Sequence, residues 1–385
     1  MKLSVSQSLL SQALGIVSRS VDTKRLLPIL TNILLTTEDG NLRLSATNLE
    51  LGINYRIPAE IASEGSITVP AKTLIDLVNT LPNDVVHLEL SPDASTLIVR
   101  CVQVVTDIKG LDAEDFPPMP VFDPQDAVVF NLPELKKMIQ QVAFAAATDE
   151  TRPMLQGIYL TVNGNELTLV ATDGYRIAKR TQSLENAPDA PISAIIPARA
   201  LIEVNRIPGD SSDQIYVNLA SGKNQVIFHQ EHVDVASQLI SGTYIDYKAI
   251  IPRNFKTDTV VSTAALQKAC AQAMIIARDS KFLTHFTIRP DAGDDGLIQI
   301  NAVSEETGTY DNQIPATVNG ETLNIAFNVR FLRDVLDVVS SPQVMIRTNT
   351  NVSPSLITPL DDGNDYEYVL MPMNPKRVAD RKSVV

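Results

Sequence analysis

The most distinctive polar cluster in the 385-residue sequence is Thr172-Asp173-Gly174-Tyr175-Arg176. A hydroxyl, a carboxylate and a guanidinium this close together could serve covalent or acid–base catalysis if a base activated the nucleophile. No such base lies near the cluster in the sequence, and the Gly-x-Ser-x-Gly elbow, the Walker loop and the Gly-x-Gly-x-x-Gly motif do not occur. We therefore interpret the cluster as a turn that presents side chains to a partner, and we predict no catalytic residue.

The histidines and the acidic turns give no metal-ligand pattern. His229 and His232 enclose Gln230-Glu231, a spacing that differs from His-Glu-x-x-His and from Cys/His zinc motifs. On a strand the two histidines would point to opposite faces, so surface histidines are favoured over a metal site. The acidic stretches 294–296 and 361–363 lack the remaining calcium ligands and are typical of turns. We predict neither a metal nor another cofactor.

These residues belong to a chain built from three similar segments. The segment Pro197–Val204 has an earlier copy at Pro70–Leu77 and a later, less similar copy at Asn328–Val335, spaced by close to one third of the chain. Each copy follows a short apolar run, and its apolar residues fit one face of a helix. Because the flanks repeat as well, the pattern indicates a triplicated domain. A cation occupies the third position of every copy: Lys72, Arg199 and Arg330.

The predicted elements follow the same order in each third. A brief strand leads into an amphipathic helix of about four turns, then hairpin strands, a second helix and a further hairpin. Two helices on one face of antiparallel strands define an α+β fold. We predict three such domains at 1–122, 127–252 and 257–373, followed by a tail at 374–385 that we expect to be disordered. The first helices are predicted at Ser6–Arg25, Leu132–Ala147 and Ser262–Lys281, and the second at Pro70–Leu81, Pro197–Ile207 and Asn328–Val339.

Composition predicts a cytoplasmic protein without a membrane segment. No apolar run approaches the roughly 18 residues of a membrane span, and Cys101 and Cys270 lie in different thirds, as core thiols in a reducing compartment would. The net charge of −13 argues at first against nucleic acid, yet the six predicted helices are cationic in sum. Either these are ordinary solvated helix faces or they form a basic surface for loose, sequence-independent contact with duplex phosphates.

Several short motifs lie along residues 1–373, namely Leu27–Leu30, Asp115–Pro117, Thr151-Arg152 with Leu155, Ala171–Ile177, Phe327–Val329 and Tyr368–Met373. With these motifs the chain resembles the bacterial DNA polymerase III beta subunit family, the sliding clamps. The resemblance implies a non-catalytic subunit whose head-to-tail homodimer closes a ring around duplex DNA, with helices lining the hole and sheets outside.

The resemblance also implies two protein-contact surfaces. Domain one of one subunit meets domain three of the next, at positions matched by Ile108, Ile275 and Ile276, and Thr106 stands where relatives often have Phe. An apolar cleft between domains two and three binds short peptide tails of the replicative polymerase alpha subunit, the clamp loader, repair polymerases, mismatch-repair proteins and ligase. The matching cleft positions are Leu155, Thr172, Gly174, Tyr175, Arg176, Ile177, Ile245, Ile250, Phe282, Asn328, Phe331, Val352, Val369, Leu370, Met371, Pro372 and Met373.

Some cleft positions depart from the family pattern: Ile245 replaces a usual Pro, Ala249 a usual Arg and Tyr175 a usual His. The tail starts beside the cleft, where it would either cover part of it or touch DNA. The cations expected to face DNA are Lys24, Arg25, Lys72, Lys136, Lys137, Arg152, Arg199, Arg206, Lys268 and Arg330.

The expected function is DNA polymerase processivity by enclosure of DNA, in the cytoplasm at the nucleoid. The alternative is a hydrolase or carbohydrate-binding protein built from repeated α+β modules. A bound metal or a deep polar pocket would favour that alternative, whereas a closed dimer would favour the clamp.

Overall fold

The computed structural model describes residues 1–22, 27–93, 95–185, 187–188, 190–209, 213–220, 224–290, 295–360 and 365–373. The predicted tail at 374–385 and the predicted DNA-facing residues Lys24 and Arg25 lie outside these described residues.

The three thirds of the chain contain the predicted order of elements. The first third contains β1 (Lys2–Ser6), α1 (Gln7–Val17), β2 (Asn32–Glu38), β3 (Asn41–Thr47), β4 (Leu51–Pro58), β5 (Glu60–Ser63), β6 (Ser66–Pro70), α2 (Ala71–Thr80), β7 (Val85–Leu90), β8 (Thr96–Cys101) and β9 (Val104–Lys109). The second contains β10 (Ala127–Asn131), α3 (Leu132–Val142), β11 (Gly157–Asn163), β12 (Glu166–Thr172), β13 (Arg176–Ser183), β14 (Ile192–Pro197), α4 (Ala198–Asn205), β15 (Gln214–Ala220), β16 (Gln225–Gln230) and β17 (Val233–Gln238). The last contains β18 (Thr257–Ser262), α5 (Thr263–Ala277), β19 (Leu283–Arg289), β20 (Leu297–Ser304), β21 (Gly308–Gly320), β22 (Leu323–Asn328), α6 (Val329–Leu336), β23 (Gln343–Thr348), β24 (Ser355–Pro359) and β25 (Tyr366–Leu370).

The first compact unit comprises residues 1–136 and 199–239. It contains a five-stranded sheet in the order β5-β1-β7-β8-β9 and an eight-stranded sheet in the order β10-β15-β16-β17-β4-β3-β2-β6. Helix α1 packs against α2 and against β3 and β4. Its residues Leu10, Leu14 and Val17 are buried because the spacing of four and three residues places them on one helix face.

The second compact unit comprises residues 137–198 and 240–385. Its twelve-stranded sheet runs β14-β11-β12-β13-β25-β24-β23-β18-β21-β20-β19-β22. Helix α5 packs against α6 and against β20 and β21. On α6, Leu332, Val335 and Leu336 are buried, again at helical spacing.

The compact units do not coincide with the three repeated domains, because strands of neighbouring thirds pair directly. Strand β17 of the middle third pairs antiparallel with β4 of the first, and β25 of the last third pairs antiparallel with β13 of the middle one. The eight-stranded and twelve-stranded sheets therefore continue from one third into the next, and the predicted boundaries at 122–127 and 252–257 stay predictions.

The predicted first helices were too long at their C-terminal ends. Helix α1 ends at Val17 and is followed by a 3₁₀ turn, in which the Ser18 and Ser20 hydroxyls donate to the carbonyls of Gly15 and Val17. Such side-chain bonds to the preceding turn compete with helix continuation. Helix α5 ends at Ala277, and the positive φ of 57° at Lys281 and 62° at Phe282 turns the chain toward β19.

Candidate functional site

The loop between β12 and β13 forms the predicted turn. Thr172 Oγ1 accepts a hydrogen bond from the backbone N–H of Gly174 at 3.0 Å and donates to the carbonyl of Arg176 at 2.6 Å. Asp173 Oδ1 accepts from the N–H groups of Tyr175 at 2.9 Å and Arg176 at 3.2 Å. Gly174 has a φ of +89°, where other residues are strained. The turn leaves Tyr175 60% exposed and buries Arg176.

Arg176 is the hub of a buried polar network. Its Nε donates to Asp173 Oδ2 at 3.0 Å, Nη1 to Asp334 Oδ2 at 2.6 Å and Nη2 to the carbonyl of Phe144 at 2.7 Å. Its guanidinium lies 4.2 Å from the ring centroid of Phe331. The side chain is only 7% exposed. Arg176 connects the turn to helix α6 through these bonds, and its assignment to the partner cleft stays a prediction.

The same network includes the buried phenol of Tyr368. Its hydroxyl donates to the carbonyl of Phe331 at 2.8 Å. Burial works against the charged guanidinium, but the hydrogen bond to Asp334 and the negative charge of Asp173 raise the pKa of Arg176 above its ordinary value. Burial also raises the pKa of Tyr368. Arg176 is therefore charged and Tyr368 neutral at physiological pH.

Several predicted cleft residues lie in the interior. Ile177 and Val369 belong to an apolar cluster with Val170, Tyr247 and Leu356. Leu370 and Thr172 are also buried, so these side chains support the site from inside and do not form its surface. Ile245 is half-buried and packs against the same cluster.

Other predicted cleft residues are exposed and apolar. Ile250 is 41% exposed, Val352 68% and Met371 36%. The N–H of Met371 donates to the carbonyl of Tyr175 at 2.9 Å, which ties the end of β25 to the turn. We call Tyr175, Ile250, Val352 and Met371 the cleft rim. The half-buried members of the predicted set are Leu155, Phe282, Asn328, Phe331, Pro372 and Met373.

Two of these half-buried residues shape the start of α6. Asn328 caps the helix, its Oδ1 accepting from the N–H groups of Arg330 at 3.0 Å and Phe331 at 3.4 Å. The carbonyl of Phe282 accepts from the N–H of Val329 at 2.9 Å. Together with the contact of Phe331 with Arg176, these bonds bring Phe282, Asn328 and Phe331 to one corner of the second unit.

The predicted DNA-facing cations fall into two groups. Lys72 and Lys268 are exposed, and their ammonium groups form no ion pair or hydrogen bond with any described residue. The remaining described candidates contact other parts of the chain or are partly buried. They are Lys136, Lys137, Arg152, Arg199, Arg206 and Arg330.

The intramolecular partners of these cations are specific. Arg199 donates to the carbonyl of Arg19 at 3.0 Å, and Arg206 pairs with Glu203 at 2.7 Å. Lys136 donates to the carbonyl of Ile207, and burial lowers its pKa. Lys137 is half-buried.

Two further cations lie next to the cleft residues. Arg152 pairs with Asp149 at 2.7 Å and donates to the carbonyl of Asp173 at 2.6 Å. The guanidinium of Arg330 lies 6.0 Å from the ring centroid of Phe282. Phosphate contact by any of these engaged cations would have to replace an existing interaction.

The predicted interface residues are only partly at the surface. Ile275 is 65% exposed and Ile276 half-buried, but Ile108 is 3% exposed and belongs to the core of its own domain. The prediction for Ile108 therefore conflicts with its burial. Alternation along β9 points Ile108 inward, whereas Val105, which sequence reasoning missed, is 62% exposed.

The junction between β17 and β4 carries a buried ion pair. Asp234 on β17 faces Asn54 on β4. The Asp234 carboxylate lies 3.0 Å from Arg56 Nη1 and 2.6 Å from His229 Nδ1, and Phe122 stacks on the His229 ring at 4.2 Å. Burial alone would raise the pKa of Asp234, but the hydrogen bond from His229 and the charge of Arg56 lower it below its ordinary value.

The junction between β25 and β13 has an ion pair at the equivalent position. We call this pair of facing residues, which recurs in both junctions, the rung. Glu367 on β25 faces Lys179 on β13, and Lys179 Nζ lies 2.6 Å from Glu367 Oε2. The two junctions have the same register, as one backbone hydrogen bond in each of them shows. The donor is the N–H at the C-terminal end of β17 or directly after β25. The acceptor is the carbonyl of the residue just before β4 or β13. The bonded pairs are Gln238 with Glu50 at 2.8 Å and Met371 with Tyr175 at 2.9 Å.

Several strands in the described part of the chain have an edge without a partner, and β9 and β21 are two of them. Strand β9 ends the order of its sheet. The first half of β21 pairs with β20 on one side, and β18 pairs only from Ala316 onward. Strand β9 corresponds to β17, because Leu111 N–H donates to Thr68 and Ile240 N–H to Ile195 at matching places in the two hairpins.

The first part of β21 corresponds in turn to β4 and β13. In each third, a side chain in the preceding turn accepts from the N–H groups two and three residues later, namely Asn48, Asp173 and Ser304. In each third, an alanine lies two residues before the acceptor, and it faces the third residue of the following strand. These pairs are Ala46 with Ile53, Ala171 with Ala178 and Ala302 with Tyr310.

No group of histidine, cysteine, aspartate and glutamate side chains that could hold a metal ion occurs within the described ranges. No helix in the described part of the chain is long and apolar enough to cross a membrane. Cys101 and Cys270 are free and buried.

Three copies of one α+β module, joined through continuous antiparallel sheets, define a protein of the DNA-clamp class. The chain belongs to the DNA polymerase III beta subunit family. Its N-terminal domain matches residues 1–120, its central domain residues 130–246 and its C-terminal domain residues 248–374. The family resemblance seen in the sequence is thereby confirmed.

Curated relatives and solved structures agree with this assignment. The beta sliding clamp of Synechococcus elongatus is 31% identical over 377 residues, covering 97% of this chain and 99% of the relative. That of Synechocystis sp. is 31% identical over 391 residues, with coverage of 97% and 99%. The crystal structure of the DNA polymerase sliding clamp from Bacillus subtilis has a TM-score of 0.90 at 27% identity, covering 97% of this chain and 99% of that one. The chain is thus a non-catalytic DNA polymerase processivity factor, and the hydrolase or carbohydrate-binding alternative is not supported.

Proposed function

We propose that two copies of this chain associate head to tail through β9 of one protomer and β21 of the other, and that the closed ring encloses duplex DNA. The observation that supports this proposal is that the same type of strand junction occurs twice within the chain. Inside the chain, the last strand of one third pairs with the strand after the turn of the preceding third, twice in the same register. Strands β9 and β21 are the corresponding strands left with an open edge, and such edges are templates for pairing with another chain. A heterologous contact that closes produces a ring.

The shared register predicts which residues meet. Val105 would face the partner's Asp311, and Thr106 the partner's Tyr310. Exposed apolar side chains flank both edges, which supports burial on association. They are Val102, Val104 and Val105 beside β9, and Ile275 and Val303 beside β21.

Engineered disulfides test both the dimer and the register. Val105→Cys combined with Asp311→Cys should give a covalent dimer on oxidation, because facing Cα atoms in an antiparallel pair lie about 4.5–5.5 Å apart. Val104→Cys with Asp311→Cys is the matched control, since Val104 points to the other face and should not crosslink. The native cysteines are buried. Crosslinking of the control pair alone would show a different register. A chain that sediments as a monomer at every concentration would refute the dimer.

The same disulfide tests enclosure of DNA. Protein oxidised in the presence of a circular plasmid should stay with it through gel filtration in high salt, because the link is topological and not electrostatic. Cutting the plasmid should release the protein. Loss from the intact circle in high salt would contradict enclosure. We further propose that the protein acts in the cytoplasm at the nucleoid and contacts DNA without sequence preference.

We also propose that the cleft rim takes short peptide tails of partner proteins, including the polymerase alpha subunit, the clamp loader, repair polymerases, mismatch-repair proteins and ligase. Exposed Tyr175, Ile250, Val352 and Met371 suit leucine or phenylalanine side chains, and methionine adapts to several shapes. The buried cluster below and the Arg176 network keep this surface ordered. Titration with a labelled peptide from the polymerase tail measures the interaction, and saturable binding lost in Met371→Asp is the expected result.

A further inference from the structure

The three sheet junctions of the proposed ring differ at one equivalent rung. At the β17–β4 junction this rung holds Asp234, which contacts Arg56 at 3.0 Å. At the β25–β13 junction it holds Glu367, which contacts Lys179 at 2.6 Å. The position of β9 that corresponds to these two acids is Val105.

The proposed junction between β9 of one protomer and β21 of the other is called the seam. We infer that the seam has no ion pair at this rung, because Val105 there faces the partner's Asp311. This inference rests on the proposed head-to-tail dimer. Asp311 is exposed, and its Oδ2 accepts from Gln299 Nε2 at 2.9 Å and from Asn301 Nδ2 at 3.0 Å. These neutral amides orient the carboxylate without compensating its charge.

Among the described residues, the cations near the rung are already engaged. Arg289 Nη2 donates to Gln299 Oε1 at 2.7 Å, and Lys109 Nζ donates to Thr96 Oγ1 at 2.9 Å. The next residue of β9 on the same face is Asp107, and the residue of β21 that corresponds to Arg56 is Gln313. Arg100 faces Val105 across the β8–β9 hairpin, but its guanidinium pairs with Glu89 at 2.7 Å. Two acidic residues, Asp107 and the partner's Asp311, therefore lie near the apolar Val105 at the seam. Like charges on neighbouring strands weaken pairing.

The consequence is a joint weaker than the two within the chain. Every internal junction is held by covalent continuity and an ion pair, whereas the seam has neither. Val105 and Asp311 thus set the affinity of the dimer, and a cation at position 105 restores the missing pair. Because a ring of two protomers contains two seams, dissociation breaks the rung twice and each substitution counts twice.

The test is a charge series measured as the dimer dissociation constant by sedimentation or dilution. Val105→Lys should tighten the dimer about tenfold at low salt, from two cross-strand pairs, with a smaller effect in high salt. Val105→Asp should loosen it by a similar factor, and Val105→Asp with Asp311→Lys should tighten it to about the Val105→Lys value, because the swap places an opposite-charge pair at the same rung. Val129→Lys, at an exposed position of β10 in the other sheet of the same unit, is the matched control and should change nothing.

Several outcomes would overturn the inference. Equal shifts for Val105→Lys and Val105→Asp would show that residue 105 does not face Asp311. A loosened dimer in Arg100→Ala would show that Arg100 already supplies the missing charge. A wild-type chain that never dimerises would instead refute the proposed assembly, so failure of the rung and failure of the dimer are distinguishable. Circular dichroism of each variant verifies that the fold is retained.

Discussion

Replacement of Arg176 by methionine should destabilise the second unit strongly. The substitution keeps an unbranched apolar stem but removes the guanidinium and its three hydrogen bonds, to Asp173, Asp334 and the Phe144 carbonyl. It leaves two carboxylates without a cation, and their side chains are only 14% and 29% exposed. Removing one partner of a buried pair costs about 3–5 kcal/mol. Because Asp334 reaches solvent, we expect about 3 kcal/mol.

Lys179→Met is the matched control on the same strand. Its ion pair with Glu367 is equally short at 2.6 Å, but both side chains are about one quarter exposed, at 26% and 25%. Both charged groups of this pair therefore reach solvent, unlike the Arg176 side chain at 8%, and solvent-screened pairs contribute about 0–1 kcal/mol. The two variants therefore separate burial from distance as the source of stability.

Scanning calorimetry measures both variants. For a unit of this size, 1 kcal/mol moves Tm by about 2–4 °C, so Arg176→Met should lower the Tm of the second unit by about 6–12 °C and Lys179→Met by less than about 4 °C. Hydrogen exchange in α6 should accelerate in Arg176→Met, since Asp334 and Phe331 lose their contact. Equal Tm shifts in the two variants would refute the reasoning.

Three further variants test other parts of the molecule. Met371→Asp and Met373→Asp should lower polymerase-peptide affinity at least tenfold, by placing charge on an apolar surface, while sedimentation shows an unchanged dimer; retained affinity would exclude the cleft rim. Lys72→Glu and Lys268→Glu should shorten retention on circular DNA and reduce its salt dependence more than Arg199→Glu, because the Arg199 guanidinium already binds the Arg19 carbonyl; equal effects would show that intramolecular contacts do not matter. Asp234→Asn should cost about 1.5–3 kcal/mol of unfolding free energy at pH 7. Because the pKa of Asp234 is lowered in the folded state, this difference should be complete above about pH 4 and vanish as the pH falls through the folded pKa; a constant difference down to pH 2 would contradict it.

Local signals were sufficient for the elements and the turns. The starts of α1, α2 and α6 fall within a residue of their predicted positions, because Ser6, Pro70 and Asn328 are residues that begin helices. The turn at Thr172–Arg176 was recognisable because its hydrogen bonds join residues only two to four positions apart. The C-terminal ends of the first helices were not, since no glycine or proline marks them.

The roles of individual charged residues were not recognisable from the sequence. The sequence shows Arg176 only as a motif residue of the turn and the partner cleft, but its partners Phe144 and Asp334 come from other elements of the fold. Arg199 was assigned to DNA from its helix position, and its contact with Arg19 is likewise remote in the sequence. Ile108 was assigned to an interface by family position, whereas strand alternation places it in the core.

The sequence by itself determined the triplication, the α+β class and the family, because repeats, periodicity and short motifs are properties of neighbouring residues. Only the tertiary structure decided which cations are already engaged, which cleft residues are surface and which are core, and where the sheets are left open. Those properties depend on pairing between strands of different thirds. The register of β4 with β17 and of β13 with β25 arises from contacts that no local pattern encodes.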